Sequence, residues 1–157
     1  MTVFGAIIAH NFLWCQYRNR PGLAKTQGPI MVGIVWVANA LSLFGIYLYT
    51  QMDFYRSKDT LLLNRFMWEW LQAFKLSLFL GSLLVFLVGY FFYRIRTVYQ
   101  QIIAETLSYP EERQKRIGKS GFRYFIGSLV VLILIYAVLI WLFVRWGFLD
   151  VFQQSTN

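Results

Sequence analysis

Residues 122–146 read FRYFIGSLVVLILIYAVLIWLFVRW, and between residues 125 and 144 no side chain carries a charge. A helix of that length rises about 30 Å, the thickness of the hydrocarbon core of a bilayer. A helix on the surface of a soluble domain shows a polar face every third or fourth residue, and this stretch shows none. Two more stretches share its character: residues 30–50, IMVGIVWVANALSLFGIYLYT, and residues 74–93, FKLSLFLGSLLVFLVGYFFY. The expected fold is an all-α integral membrane protein with three transmembrane helices.

Composition agrees. Of 157 residues, 58% are hydrophobic and 20% aromatic. Charged residues make up 14%, against about 25% in an ordinary soluble domain. Three crossings leave no stretch long enough for a separate globular core. The net charge of +8, from 15 basic and 7 acidic residues, comes from side chains outside the uncharged centres of the apolar runs. In a membrane protein such a surplus records topology and contact with anionic lipid headgroups. No basic helix with interleaved polar readers is present, so no nucleic-acid partner is expected. The start of the chain lacks the basic region of a cleavable signal peptide, and the first span is expected to serve as its own insertion signal.

The segments between the spans divide as follows. Residues 1–29 form an arm: a mostly apolar stretch to residue 15, then a basic linker with turn residues, Arg18, Arg20, Pro21, Gly22, Lys25 and Gly28. The apolar part, with Val3, Phe4, Ile7, Ile8, Phe12 and Trp14, reads equally as an interfacial amphipathic helix and as an arm tucked against the protein's own helices. Residues 51–73 read as a short polar loop and then a Trp-rich interfacial lead-in helix, capped by Asp59 and carrying Trp68 and Trp70, that runs into the second span. In residues 94–121, Ile95, Val98, Tyr99, Ile102 and Ile103 keep helical spacing and predict an unbroken cytoplasmic extension of the second helix. Ser108 and Glu111 have the spacing of a capping box for a short basic helix that Gly118 and Gly121 would end. Residues 122–147 are the third span, and residues 148–157 an outer polar tail.

Orientation follows from the positive residues, which stay on the side from which a span is inserted. The arm carries Arg18, Arg20 and Lys25 without an acid, and the 94–121 connection is strongly basic. The 51–73 connection is balanced, and beyond the third span Arg145 stands against Asp150. Two basic and two balanced flanks alternate, which places the N-terminus inside and the C-terminus outside. The membrane is then a bacterial inner membrane or an organelle inner membrane.

Groups that carry chemistry are few. The seven acids (Asp53, Asp59, Glu69, Glu105, Glu111, Glu112 and Asp150) all lie outside the apolar runs. His10 and Cys15, the single histidine and the single cysteine, are five residues apart and do not quite share a helical face. No metal-ligand cluster, phosphate-cradling glycine loop or nucleophile elbow occurs, so neither catalysis nor a cofactor is expected. Asn39 sits near the middle of the first span. An amide at that depth lines a substrate path or bonds to another helix, and the second is the commoner use. Ala38, Ser42 and Gly45 give it a small-residue face for close packing, and Ser77 with Gly81 repeats the pattern in the second span. The third span has large residues beyond Gly127 and Ser128 and reads as lipid-facing or as a knob for packing. Ile95, Val98 and Ile102 form an apolar stripe that reads as a partner contact. Arg113, Lys115, Arg116 and Lys119 read as contacts for anionic headgroups.

The expectation is a non-catalytic structural or adaptor subunit of a larger membrane complex of energy-transducing, secretion or polysaccharide-export type. A small homo-oligomeric channel or transporter with Asn39 facing the pathway is the alternative. A basic arm, a span, a short outer loop and a second span ending in YRIR give the first half a layout similar to that of small accessory subunits of bacterial exopolysaccharide synthases. That resemblance implies an accessory role beside larger membrane proteins, and no residue role follows from it.

Overall fold

The computed structural model describes residues 1–58 and 78–145, and every element among them is helical. In chain order these are α1 (Val3–Tyr17), α2 (Pro21–Lys58), α3 (Leu78–Arg94), α4 (Arg96–Leu107) and α5 (Glu111–Arg145). Two of them, α2 and α5, are long and apolar enough to cross a membrane, and the bent pair α3–α4 makes a third if it is one span. The expected Trp-rich lead-in helix, the Asp59 cap, Ser77 and the polar tail lie outside the described residues.

The most deeply buried element is the short α1. Thr2 starts it by accepting the Gly5 amide on its hydroxyl at 3.1 Å. Gly5, Ala6, Ile7, Ile8 and Ala9 are all buried, so burial runs round the helix instead of along one stripe. Helices close on it from three sides, α5, α2 and α4. The expected apolar face is used in part: Ile7 and Ile8 are fully buried, Phe4 and Phe12 are half-buried, and Val3 and Trp14 are exposed, while the small Gly5, Ala6 and Ala9 are buried beside them. The small residues have a steric role, because glycine and alanine let backbones approach where larger side chains would hold them apart.

Asn19, in the left-handed region at φ 54°, reverses the chain between α1 and α2. Asparagine tolerates that conformation better than most residues. The Phe4 ring then packs tilted at 5.9 Å from Trp36, Ile8 meets Gly28 and Cys15 meets Gln27, so α1 and α2 are antiparallel. On its other side, α1 crosses α5 at two glycines. Gly118 faces His10 and Leu13, and Gly121 lies against the backbone of Ala6 and Ile7. Contacts between α2 and α5 advance together, from Asn39 with Tyr124 to Gly45 with Ile135 and Leu139, so these two helices run parallel.

Several boundaries differ from the sequence reading, each for a packing reason. The helix expected to start at residue 30 starts at Pro21, and residues 51–58, expected as a loop, continue it. Pro21 occupies the first helical position, where its missing N–H is no loss, and Gly28 marks the approach of Ile8 instead of a turn. Gly118 and Gly121 do not end a short helix. They lie within α5, which is unbroken from Glu111 to Arg145. Ser108 does not open that helix; it closes α4, its hydroxyl donating to the Glu105 carbonyl at 2.7 Å. The second span does not continue straight into its extension: at Ile95 (φ −53°, ψ 124°) the chain is extended and α4 turns by 63°. The turn lays Tyr99, Ile102 and Thr106 onto the α1 side of the fold, where all three are buried.

At Gly121 a Cβ would overlap the Ala6 carbonyl and come within 2.6 Å of the Ile7 nitrogen, and backbone cannot move aside as a side-chain tip can. Gly121→Leu is expected to destabilise the fold by about 3 kcal/mol or more. At Gly127 a Cβ meets no described atom within 4 Å, and Gly127→Ala is expected to stay within about 0.5 kcal/mol of the parent. Thermal unfolding in detergent, followed by size-exclusion fluorescence, compares the two; equal stabilities would contradict this packing.

Candidate functional site

The small residues singled out in the first span are packed inside the molecule and Asn39 has its partner there, while the Ser42 hydroxyl is buried without a hydrogen-bond partner among the described residues. Ala38 and Ser42 are buried, as is Gly45, whose missing side chain leaves room for Ile135 and Tyr136 of α5. The side chain of Asn39 donates from Nδ2 to the Tyr124 hydroxyl at 3.0 Å, across the α2–α5 seam. A second polar link joins the same two helices, where the Tyr136 hydroxyl donates to the Leu41 carbonyl at 3.3 Å. In hydrocarbon each such group needs a partner, since no water is there to replace it. Both links tie α2 to α5.

In α3, a Cβ at Gly81 would touch no described atom within 4 Å, so its small-residue face is open among the described residues. The stripe on α4 divides. Ile102 is buried and Val98 packs against the same core cluster, which includes Ile7, Ile8, Val32, Val35 and Tyr99. Only Ile95, at the bend, is 50% exposed. The stripe that reads as a partner surface is thus mostly spent on the protein's own core. Sequence spacing showed the face, but it does not show that α1 lies over it.

The four cations of the basic run are all exposed on α5. Arg113 stacks its guanidinium 4.0 Å above the Tyr109 ring. Lys115 pairs with Glu111 at 2.6 Å, one helical turn back. Arg116 and Lys119 have no ion pair among the described residues. Glu105, one turn before this corner, receives the Tyr109 hydroxyl at 2.9 Å and the Met1 amino group at 2.9 Å, which ties the α4–α5 corner to the start of α1. Because α2 and α5 are parallel and α1 is antiparallel to both, the cations of the arm, of the α3–α4 bend and of the α5 start gather at one end of the bundle. At the other end, Arg145 sits 5.0 Å over the Trp141 ring.

His10 and Cys15 do not form a pair. The His10 ring packs on Phe122 at 4.9 Å, and burial pushes its imidazole below the ordinary value against a smaller opposing effect from the Gly118 backbone. The Cys15 sulfur lies 3.5 Å from Gln27 Oε1 and 3.7 Å from Asn11 Oδ1, and burial pushes its thiol up. A protonated thiol is a donor to those oxygens and a poor nucleophile. Asn11 also donates to the Met31 sulfur at 3.6 Å. In the sequence Asn11 only interrupts an apolar run; here it joins α1 to α2.

Large apolar side chains dominate the outer surface. On α3, Phe79, Leu80, Leu84, Val88 and Phe91 are exposed; on α5, Ile133, Leu134, Val138, Ile140 and Trp141 are. Only 11% of the most apolar window of α5 is buried within the chain. Asn39 and Tyr136 face the α2–α5 seam, while the apolar side chains named above face outward.

If the Asn39–Tyr124 bond holds the seam, Tyr124→Phe and Asn39→Leu each cost about 1 kcal/mol, and the double variant costs little more than either alone. Unfolding midpoints of the four proteins in one detergent give the coupling. Strictly additive effects would show that the bond contributes nothing. Comparisons of the chain with protein-family models, with curated proteins and with solved structures find no match, so the functional reading depends on these residues.

Proposed function

We propose that this protein is a non-catalytic structural or adaptor subunit of a larger membrane complex, crossing the membrane three times through α2, α3 and α5. The observation that carries the reading is the outer surface of α3 and α5. Bulky aliphatic and aromatic side chains cover it almost without a break, while the core contacts of the chain are concentrated around α1. Such faces are covered by lipid or by other membrane helices, and their aromatic residues suit the second.

Three crossings are supported by the parallel course of α2 and α5, which requires the chain between them to return to the starting side. The gathered cations support an N-terminus on the inside, under the positive-inside rule, in an inner membrane of bacterial or organellar type. The basic run Arg113, Lys115, Arg116 and Lys119 would then face anionic headgroups from the inner side. Partners are larger integral membrane proteins, of energy-transducing, secretion or polysaccharide-export type.

A tagged copy purified from its native membrane in mild detergent tests this proposal. The expected result is a fixed set of stoichiometric partner chains, identified by mass spectrometry. A lone species at a small multiple of 18.6 kDa would overturn it.

A further inference from the structure

Three cations from three different elements converge where α2 begins and α3 turns into α4. Lys25 lies in the first turns of α2, Arg94 ends α3, and Arg96 opens α4. Together they line a cavity of about 440 Å³ whose remaining wall includes Tyr99 and Gln100, and no acid contributes to it. Lys25 and Arg96 have no ion pair among the described residues. Arg94 is held in place by the Tyr90 ring and by donating to its hydroxyl at 2.6 Å. Ile95, at the cap of α4, provides no side-chain acceptor, and the first turn holds no acid. The positive end of that helix therefore adds to the same field.

A second cavity, of about 390 Å³, shares Lys25, Tyr99 and Gln100 with the first. Its other walls are apolar, with Phe12 of α1 and Ile103 and Leu107 of α4 among them. Cationic and oily compartments that share three wall residues form one amphipathic groove.

We propose that this groove binds a phosphate-bearing amphiphile, its phosphate against Lys25, Arg94 and Arg96 and its hydrocarbon along Phe12, Ile103 and Leu107. Phosphate is the chemistry that matches guanidinium forks beside a helix N-terminus. A free phosphate compound would satisfy the cations and leave the apolar compartment empty; a phospholipid fills both. The site is separate from the α5 basic run, where Lys115 is already paired with Glu111. It needs the placement in a membrane but not the subunit reading, so co-purification and lipid titration can fail independently.

The test titrates the full chain, purified in a neutral detergent, with phosphatidic acid, phosphatidylcholine or inorganic pyrophosphate, read by native mass spectrometry. Phosphatidic acid is expected to bind at one per chain, and phosphatidylcholine about tenfold more weakly. Lys25→Gln and Arg96→Gln, both at exposed positions, are each expected to weaken phosphatidic acid about fivefold. The Arg116→Gln/Lys119→Gln pair is expected to change it less than about twofold. Leu107→Gln is expected to weaken the lipid. Equal losses from groove and α5 variants would mean diffuse surface charge and overturn the proposal. Pyrophosphate that displaces the lipid, with Leu107→Gln silent, would assign the cavity to a soluble phosphate and overturn it as well.

Discussion

The close passage of Gly121 over the backbone of Ala6 and Ile7 is the contact on which the rest of the fold depends. It sets how near α5 can come to α1. With Gly28 admitting Ile8 on the opposite side, it lets one short helix touch two long ones at once. Ile7 and Ile8, both essentially inaccessible, then meet Val32 and Val35 of α2 and Tyr99 and Ile102 of α4 in one cluster. Helices of 38 and 35 residues are about 57 and 52 Å long, well beyond a hydrocarbon core of about 30 Å. Their projecting ends would have little to hold them without α1 between them. The Asn39–Tyr124 bond lies beside Phe4 of α1, whose ring is 6.1 Å from that of Tyr124, and the Tyr136–Leu41 bond continues the seam.

This division of labour explains the outer surface. Small residues pack closely around α1, and the apolar lengths of α3 and α5 are largely uncovered. A chain that commits its close-packing residues to an internal hub has only large, smooth faces left to offer to others. The cations collect at the hub end because that is where the α1–α2 turn, the α3–α4 bend and the start of α5 meet. A topology signal in the sequence thereby becomes a local cluster in three dimensions, and at the α3–α4 bend it becomes a groove.

Much of the architecture was legible in the sequence. Uncharged runs of spanning length predict α2 and α5, because period and length are local properties that packing does not alter. The oily character of α5 is legible for the same reason. Tertiary context decided the rest. Gly118 and Gly121 read as helix terminators, since glycine is unfavourable in an isolated helix, but both lie on the face of α5 that crosses α1, and at Gly121 the crossing leaves no room for a side chain. The apolar arm read two ways, and its burial depends on partners more than a hundred residues away in the chain. The stripe Val98–Ile102 showed its face without its neighbour. Asn39 signalled the need for a hydrogen-bond partner, and Tyr124, at the start of the third apolar run, was the missing half of that pair.

The central claim is that α1 is wedged in the core and does not lie free on a membrane surface. Disulfide trapping in native membranes tests it directly. In a Cys15→Ser background, cysteines are placed at Ile8 and Gly28, where the Cβ position of residue 28 lies 3.6 Å from the Ile8 Cα. That separation suits a disulfide. The account predicts rapid, near-complete closure with mild oxidant, and none when the α1 cysteine is moved to exposed Val3. Closure no faster for the Ile8 pair than for the Val3 pair would contradict it.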